Sequence, residues 1–459
     1  MLVARCSTGA IRARNTLVGL GATLLLLAST DCRRAPPQKE KAPPPLPTAS
    51  AVASAEKLDV PAPDDSADPD GASGPATAAT AVTKVPTTSG SAKRKAARGP
   101  KRSSARFMLD GPELPIAMGG AATVYSKGII WRAFGNAASV SLFGPNGPAP
   151  GPNDEERSKK WPHAKVAVAE DASGTMHSYW IEGRELIRHK ITADGKLENE
   201  EIVLHDAVPG SSPSALRAAG RDVVAYTANP GARNAERHAR LWVEGGGILD
   251  LSPEGSGASS ISLIPVGEGQ VIAMWLDARS AMTPVHARRF EVREKTTAIA
   301  EDEVMFVGGP PEGYPELVGV RFGNSAAGLV PLSTENGFAL HNILVNWQGK
   351  AKVGALEYPN GMDVAPATGA NACGQSIVVY SRPEAKERGA PQVLEIATLG
   401  KNGSIDVEEV AAYPGNVHEL SAAATDENTV WVVYTANSKS FALRISCGGQ
   451  DGDKSTEKK

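Results

Sequence analysis

The chain has 459 residues, 41% of them apolar and only 5% aromatic, with a net charge of -3. A pI of about 6.3 excludes the basic domain that a nucleic-acid binder presents. Composition also divides the chain. Residues 33–105 are Pro, Ala, Ser, Thr and charge and cannot bury enough apolar surface to offset the entropy of ordering, whereas the roughly 340 residues that follow are long enough for one large core.

In chain order, residues 1–32 read as an export signal. Arg5, Arg12 and Arg14 precede an apolar run, Leu17–Ala28, that is long enough for a signal core. It is shorter than the ~20 residues a membrane-spanning helix needs. The segment ends LLLLASTDC, with Cys32 directly after the run. This resembles a bacterial lipoprotein signal, in which the cysteine becomes the lipidated first residue of the mature chain. The resemblance implies an exported protein of the bacterial cell envelope, anchored to a membrane through lipid on Cys32. Asp31 stands where that signal has Gly, Ala or Ser. Ordinary cleavage near Ser29 or Thr30, and an uncleaved anchor, therefore stay open as alternatives.

Residues 33–105 suit a disordered spacer. The run APPQKEKAPPPLP favours extended polyproline, and the Ala/Ser/Thr stretches are flexible. Ser66–Gly71 has Asp68 and Asp70 at calcium-loop spacing. It lacks the acidic first ligand, and Thr77 replaces the glutamate at position twelve, so it reads as a turn. Lys93, Arg94, Lys95, Arg98, Lys101 and Arg102 concentrate basic charge at the end of the spacer. They read as a solvated tether, with anionic lipid or cell-wall polymer as the alternative contact.

From 106 to 447 one unit recurs about every 50 residues. Its marker is a short β-branched and aromatic run: GIIWRAF at 128–134, MHSYWI at 176–181, VVAYT at 223–227, VIAMWL at 271–276, AGLVPL at 327–332, IVVYS at 377–381 and VWVVYT at 430–435. Such runs are strand chemistry, and their near-continuous hydrophobicity predicts burial on both faces. Small residues precede them, as in ALRAAG at 215–220 and LSAAAT at 420–425, which suits strands converging on an axis. Phe441, Leu443 and Ile445 alternate with Ala442, Arg444 and Ser446, as a third strand would. Hairpin turns follow at 145–147, 193–195 and 401–403. The acids Glu200, Glu201, Asp302, Glu303, Glu408 and Glu409 fall on fourth strands, where charge protects a sheet edge. The predicted fold is all-β, a seven-bladed β-propeller, with six blades as the alternative and little helix. The seventh unit stops after three strands at Cys447, so the segment near Arg106–Leu109 is expected to supply the missing outer strand. Residues 448–459 read as a disordered tail.

Of four cysteines, only Cys373 and Cys447 lie in this domain, on neighbouring units. Export places them in an oxidising compartment, so a disulfide is expected between them, with a reactive or metal-binding thiol pair as the alternative. WLDAR at Trp275–Arg279, followed by HARRFEV, resembles a repeat of secreted bacterial propellers. There the Asp–Arg pair ties a hairpin together, so Asp277 and Arg279 are expected to be structural, with ligand contact as the alternative. Sialidase-like propellers are the related enzyme class, but their Ser-x-Asp-x-Gly-x-x-Trp turn and Arg-Ile-Pro segment do not occur in this sequence. The eight histidines, at 163, 177, 189, 205, 238, 286, 341 and 418, show no metal-ligand spacing. No catalytic residue, metal site or cofactor motif is assigned. The expected function is an envelope-tethered binding or scaffold module whose partner is an envelope protein or polysaccharide, with no nucleic-acid partner. The alternative is a carbohydrate-active hydrolase or lyase working at the channel mouth, so enzymatic activity stays open.

Overall fold

The computed structural model describes residues 106–118, 122–132, 138–151, 165–170, 174–231, 237–277, 279, 282, 284–309, 316–334, 337–359, 367–384, 391–413 and 417–448. The chain divides into two units, Met1–Ala78 and Ala79–Lys459, and all described residues belong to the second. The export signal, Cys6, Cys32, the spacer with its turn at 66–71, the basic residues 93–102 and the tail from 449 lie outside the described residues.

Every regular element among the described residues is a β-strand. The chain opens with β1 (Phe107–Leu109) and β2 (Leu114–Met118). Blade 1 holds β3 (Ala122–Tyr125), β4 (Gly128–Arg132), β5 (Ala138–Gly144) and β6 (Gly147–Pro148); blade 2 holds β7 (Ala167–Glu170), β8 (Met176–Glu182), β9 (Glu185–Ile191) and β10 (Leu197–Leu204). Blade 3 holds β11 (Ser214–Ala218), β12 (Arg221–Ala228), β13 (His238–Val243) and β14 (Gly247–Asp250); blade 4 holds β15 (Ala258–Pro265), β16 (Gln270–Asp277), β17 (Pro284–Val292) and β18 (Thr297–Val307). Blade 5 holds β19 (Val318–Phe322), β20 (Ser325–Thr334), β21 (Gly337–Asn346) and β22 (Ala351–Pro359); blade 6 holds β23 (Ala367–Ala372), β24 (Gln375–Pro383), β25 (Gln392–Leu399) and β26 (Ile405–Tyr413). Blade 7 holds β27 (Val417–Asp426), β28 (Thr429–Ala436) and β29 (Lys439–Cys447). Among the described residues there are seven sheets, each an antiparallel meander in chain order, with β1 and β2 added to that of blade 7.

The predicted two-sided burial of the marker strands is met. All eight residues of β12 and β28, and all five of β4, are buried. The aromatic residues of these strands divide among seven separate cores, one for each junction between neighbouring blades. Tyr125, Ile130 and Trp180 fill the junction of blades 1 and 2, and Tyr179 and Tyr226 that of blades 2 and 3. Trp275 packs between blades 3 and 4, and Met274 with Val330 between 4 and 5. Leu329 and Tyr380 fill the next junction, Val379 and Tyr434 the one after, and Trp131 meets Trp431 where blade 7 returns to blade 1. A ring is the only order in which seven sheets can share seven such cores.

Small residues let the inner strands converge. Side-chain hydroxyls on one blade accept backbone N–H groups of the next: Thr123 from Val166, Ser214 from Leu263, Ser260 from Leu317, Thr368 from Ala422 and Ser421 from Val124. Between blades 5 and 6 glycine does the same work, because a Cβ on Gly369 would press on the Gly319 carbonyl and on Val320.

The ring closes as the strand count predicts, with one addition. β1 pairs with the end of β29, Phe107 opposite Cys447, and β2 pairs with its beginning, Leu114 opposite Ala442. The outer strand of blade 7 is therefore supplied in two pieces. The fourth-strand acids depart in part from the solvated-edge expectation. Glu303 and Glu200 reach back to His286 and His189 on the third strands of their blades. Alternation explains this: Glu303 stands two residues from Met305, the partner of His286, so the two side chains share one face of the sheet.

Candidate functional site

The ring has two ends. At one, the first strand of each blade begins and the second-to-third loops gather; we term it the loop end. At the other lie the short turns joining first to second strands.

At the loop end, Lys165 stands just before β7 in blade 2 and Glu316 just before β19 in blade 5, three blades apart. Lys165 Nζ nevertheless donates to Glu316 Oε1 at 2.6 Å. The pair therefore crosses the mouth of the channel. Both side chains are partly exposed, at 30% and 41%. The Lys165 backbone N–H is fixed by the hydroxyl of Ser212, ahead of β11, at 3.0 Å. On the inner strands below, each blade contributes a small half-buried residue: Ala122, Ala167, Ala215, Ser259, Gly319, Gly369 and Ala423.

The candidate pair Asp277 and Arg279 lies on the rim of the same end. Asp277 closes β16, and its Oδ1 accepts the Arg279 backbone N–H at 2.9 Å. Arg279 Nη2 donates to Oδ2 at 3.0 Å. Burial works against the charge of Asp277, but the hydrogen bonds and charge of Arg279 outweigh it and hold the carboxyl below its ordinary range. Gly257, ahead of β15, leaves the room that Arg279 fills. The sequence places these two residues together, and their geometry ties the loop end of blade 4.

The densest charged cluster was not among the sequence candidates. It lies between blades 2 and 3, near the turn end, around the fully buried Asp222. Asp222 Oδ2 accepts from Tyr179 Oη at 2.5 Å, meets His177 Nδ1 at 2.6 Å and accepts from Arg188 at 3.2 Å. Arg217 donates to Oδ1. Glu244 completes the network, accepting from Arg188 at 2.6 Å and from the Asp222 backbone N–H at 3.2 Å. Burial disfavours the Asp222 charge, yet the hydrogen bonds from His177 and Tyr179 and the charge of Arg217 outweigh it, so its carboxyl titrates below the usual range. Burial and the adjacent carboxylate push the Tyr179 hydroxyl far up. Two arginines, two carboxylates, a tyrosine and a histidine here converge on one another, which makes the cluster a bolt between blades. The one sequence signal for it is that His177 and Asp222 both fall near the start of the second strand in consecutive units.

The other candidates resolve simply. Cys373 and Cys447 form a disulfide with Cα atoms 5.6 Å apart, joining the first turn of blade 6 to the end of β29. Cys32 lies outside the described residues. Among the described residues no group of three or more His, Cys, Asp or Glu is placed to hold a metal ion.

The architecture defines the class: a seven-bladed β-propeller. No protein-family model matches the chain, and no curated protein sequence matches it. Solved structures with the same kind of fold include a subtype N10 neuraminidase-like protein of A/little yellow-shouldered bat/Guatemala, at 12% identity and TM-score 0.41, covering 62% of this chain and 94% of that one. Drosophila Plexin A in complex with Semaphorin 1b matches at 8% identity and TM-score 0.37, over 75% of this chain and 87% of its own. Trypanosoma rangeli sialidase, in complex with 2,3-difluorosialic acid, matches at 11% identity and TM-score 0.37, over 61% and 53%. The likeness in each case is one of fold alone.

Proposed function

We propose that this chain is an exported, envelope-tethered binding or scaffold module, held by lipid on Cys32, that presents the loop end of its ring to an envelope protein or a surface polysaccharide. The observation that carries this reading is the Lys165–Glu316 ion pair. It bars the axis at the loop end, so recognition falls to the exposed rim, where Arg279 is more than half exposed. Loops at the end of a rigid scaffold are the usual carriers of binding. Glycoside hydrolysis instead needs two carboxylates about 5–9.5 Å apart facing one sugar. At this mouth Glu316 is engaged by Lys165, and on the rim Asp277 is engaged by Arg279.

The test immobilises the full-length protein and exposes it to envelope extracts and to purified surface polysaccharides. The expected result is saturable capture of one component, weakened at least tenfold by Arg279→Ala and unchanged by Arg444→Ala on β29, the third strand of blade 7. Release of reducing or unsaturated sugar ends from any polysaccharide overturns it, as does capture insensitive to loop-end substitutions.

A further inference from the structure

The junction of blades 1 and 2 buries a cation short of partners. Arg132 ends β4 at the loop end and is only 5% exposed. A guanidinium carries five N–H donors, and a buried one needs acceptors and a counter-charge. In Arg132 only Nη2 is engaged: it donates to the Ile181 carbonyl at 2.8 Å. Nε and Nη1 are buried with no hydrogen-bond partner. The Glu182 carboxylate stays 3.9 Å away. Burial accordingly pulls the guanidinium below its usual value, against the charge of Glu182.

The surroundings repeat the pattern. The Arg132 guanidinium lies over the ring of Trp180, 5.7 Å from its centroid. The Trp180 indole N–H is itself buried without an acceptor. Ser178 and His189, cross-strand neighbours on the same blade, leave the Oγ and Nδ1 atoms unpartnered as well. His189 stacks on Trp180 with ring centroids 4.5 Å apart and reaches Glu200 through Nε2 at 3.3 Å. One junction thus gathers a buried cation and several unpartnered polar atoms, whereas most buried polar groups find partners.

We propose that this junction binds a small monovalent anion, of the size of chloride or formate, on the Nε and Nη1 edge of Arg132. The chemistry is that of a desolvated guanidinium, for which an anion supplies the missing counter-charge and acceptors together. The guanidinium is buried where the two blades meet, which favours a small anion over a large one. Its role is to complete the junction between blades 1 and 2.

The test uses full-length protein exchanged into sodium gluconate, whose anion is too large for a buried site. Its thermal midpoint is followed as chloride, formate or sulfate replaces gluconate at constant ionic strength. Chloride or formate is expected to raise the midpoint saturably, by about 2–4 °C, with sulfate inert. The tighter of the two identifies the occupant as halide or carboxylate. Arg132→Met is expected to be flat throughout. A midpoint that follows ionic strength alone, or an Arg132→Met variant that keeps the response, overturns the proposal. Should that variant not fold, crystals of the unaltered protein grown in bromide decide: an anomalous peak beside Arg132 supports the site, and a clean map there removes it.

Discussion

Asp222 shows how a single side chain can hold two sheets together. Its carboxylate is buried, and a charge there is tolerable only because Tyr179, His177, Arg188 and Arg217 converge on it. Removing one member of such a network leaves the others uncompensated, so Asp222→Asn is expected to lower stability by about 3 kcal/mol at neutral pH. The pH dependence follows from the depressed carboxyl. In the unfolded chain an aspartate titrates near about 3.9, and in the folded chain Asp222 titrates below that. Its contribution is therefore complete above about pH 4 and is lost as pH falls through the lower, folded value. Urea unfolding of both proteins from pH 7 downward should show a constant gap that closes only below about pH 4. A gap that narrows between pH 7 and 5 would mean that a different group carries the effect. Beyond the like positions of His177 and Asp222 in consecutive units, none of this was legible in the sequence. An aspartate opening a hydrophobic strand looks the same whether it faces solvent or the next blade, and its partners are spread from 177 to 244.

At the scale of the element, the seam between the chain's two ends is the place where the ring can open. The need for a closing strand was readable because the seventh unit has three strands where the others have four. That β2 would extend the closure was not readable. Its Pro115 argues against a strand in general, and is admitted here because the piece lies on an outer edge, where an N–H is not needed. The disulfide was readable from two cysteines on adjacent units, but not its position beside β1: Cys447 is paired to Phe107 and bonded to Cys373 at once. Two fastenings thus act on one strand end. Deleting residues 104–110 removes Phe107, buried to 4% between blades 6 and 7. The loss should be about 3 kcal/mol or more, by the cost of removing a buried phenylalanine. Reduction of the disulfide, which closes 74 residues of chain, should cost about 4 kcal/mol in the chain-entropy account. Calorimetry of the deleted and the reduced protein checks both. An unchanged midpoint after deletion would mean that β2 alone closes the ring.

Across the whole molecule, stability resides in junctions. Each blade is a thin sheet that becomes dry only against its two neighbours, so the ring behaves as a closed series of nearest-neighbour contacts. Periodicity in the sequence reveals that arrangement, because sandwiched strands must be apolar on both faces. It does not reveal which junctions are strong, since that depends on pairings between units that the period treats as alike. Lys165 and Glu316 illustrate the point: they occupy the same place in units 2 and 5, and only the closed ring brings them into contact. Unequal junctions predict unequal local stability. Blade 1 is the slightest, with an outer strand of two residues and second strand of five, and its junction with blade 2 buries the undercompensated Arg132. Blade 4 has strands of eight, eight, nine and eleven residues. Regions with fewer buried contacts open more readily. Native-state hydrogen exchange should therefore find the amides of Ile129 and Ile130 in β4 exchanging at least tenfold faster than those of Ile272 and Met274 in β16, although all four side chains are equally buried. Equal protection in the two blades would show that the ring opens only as a whole, with no junction weaker than the rest.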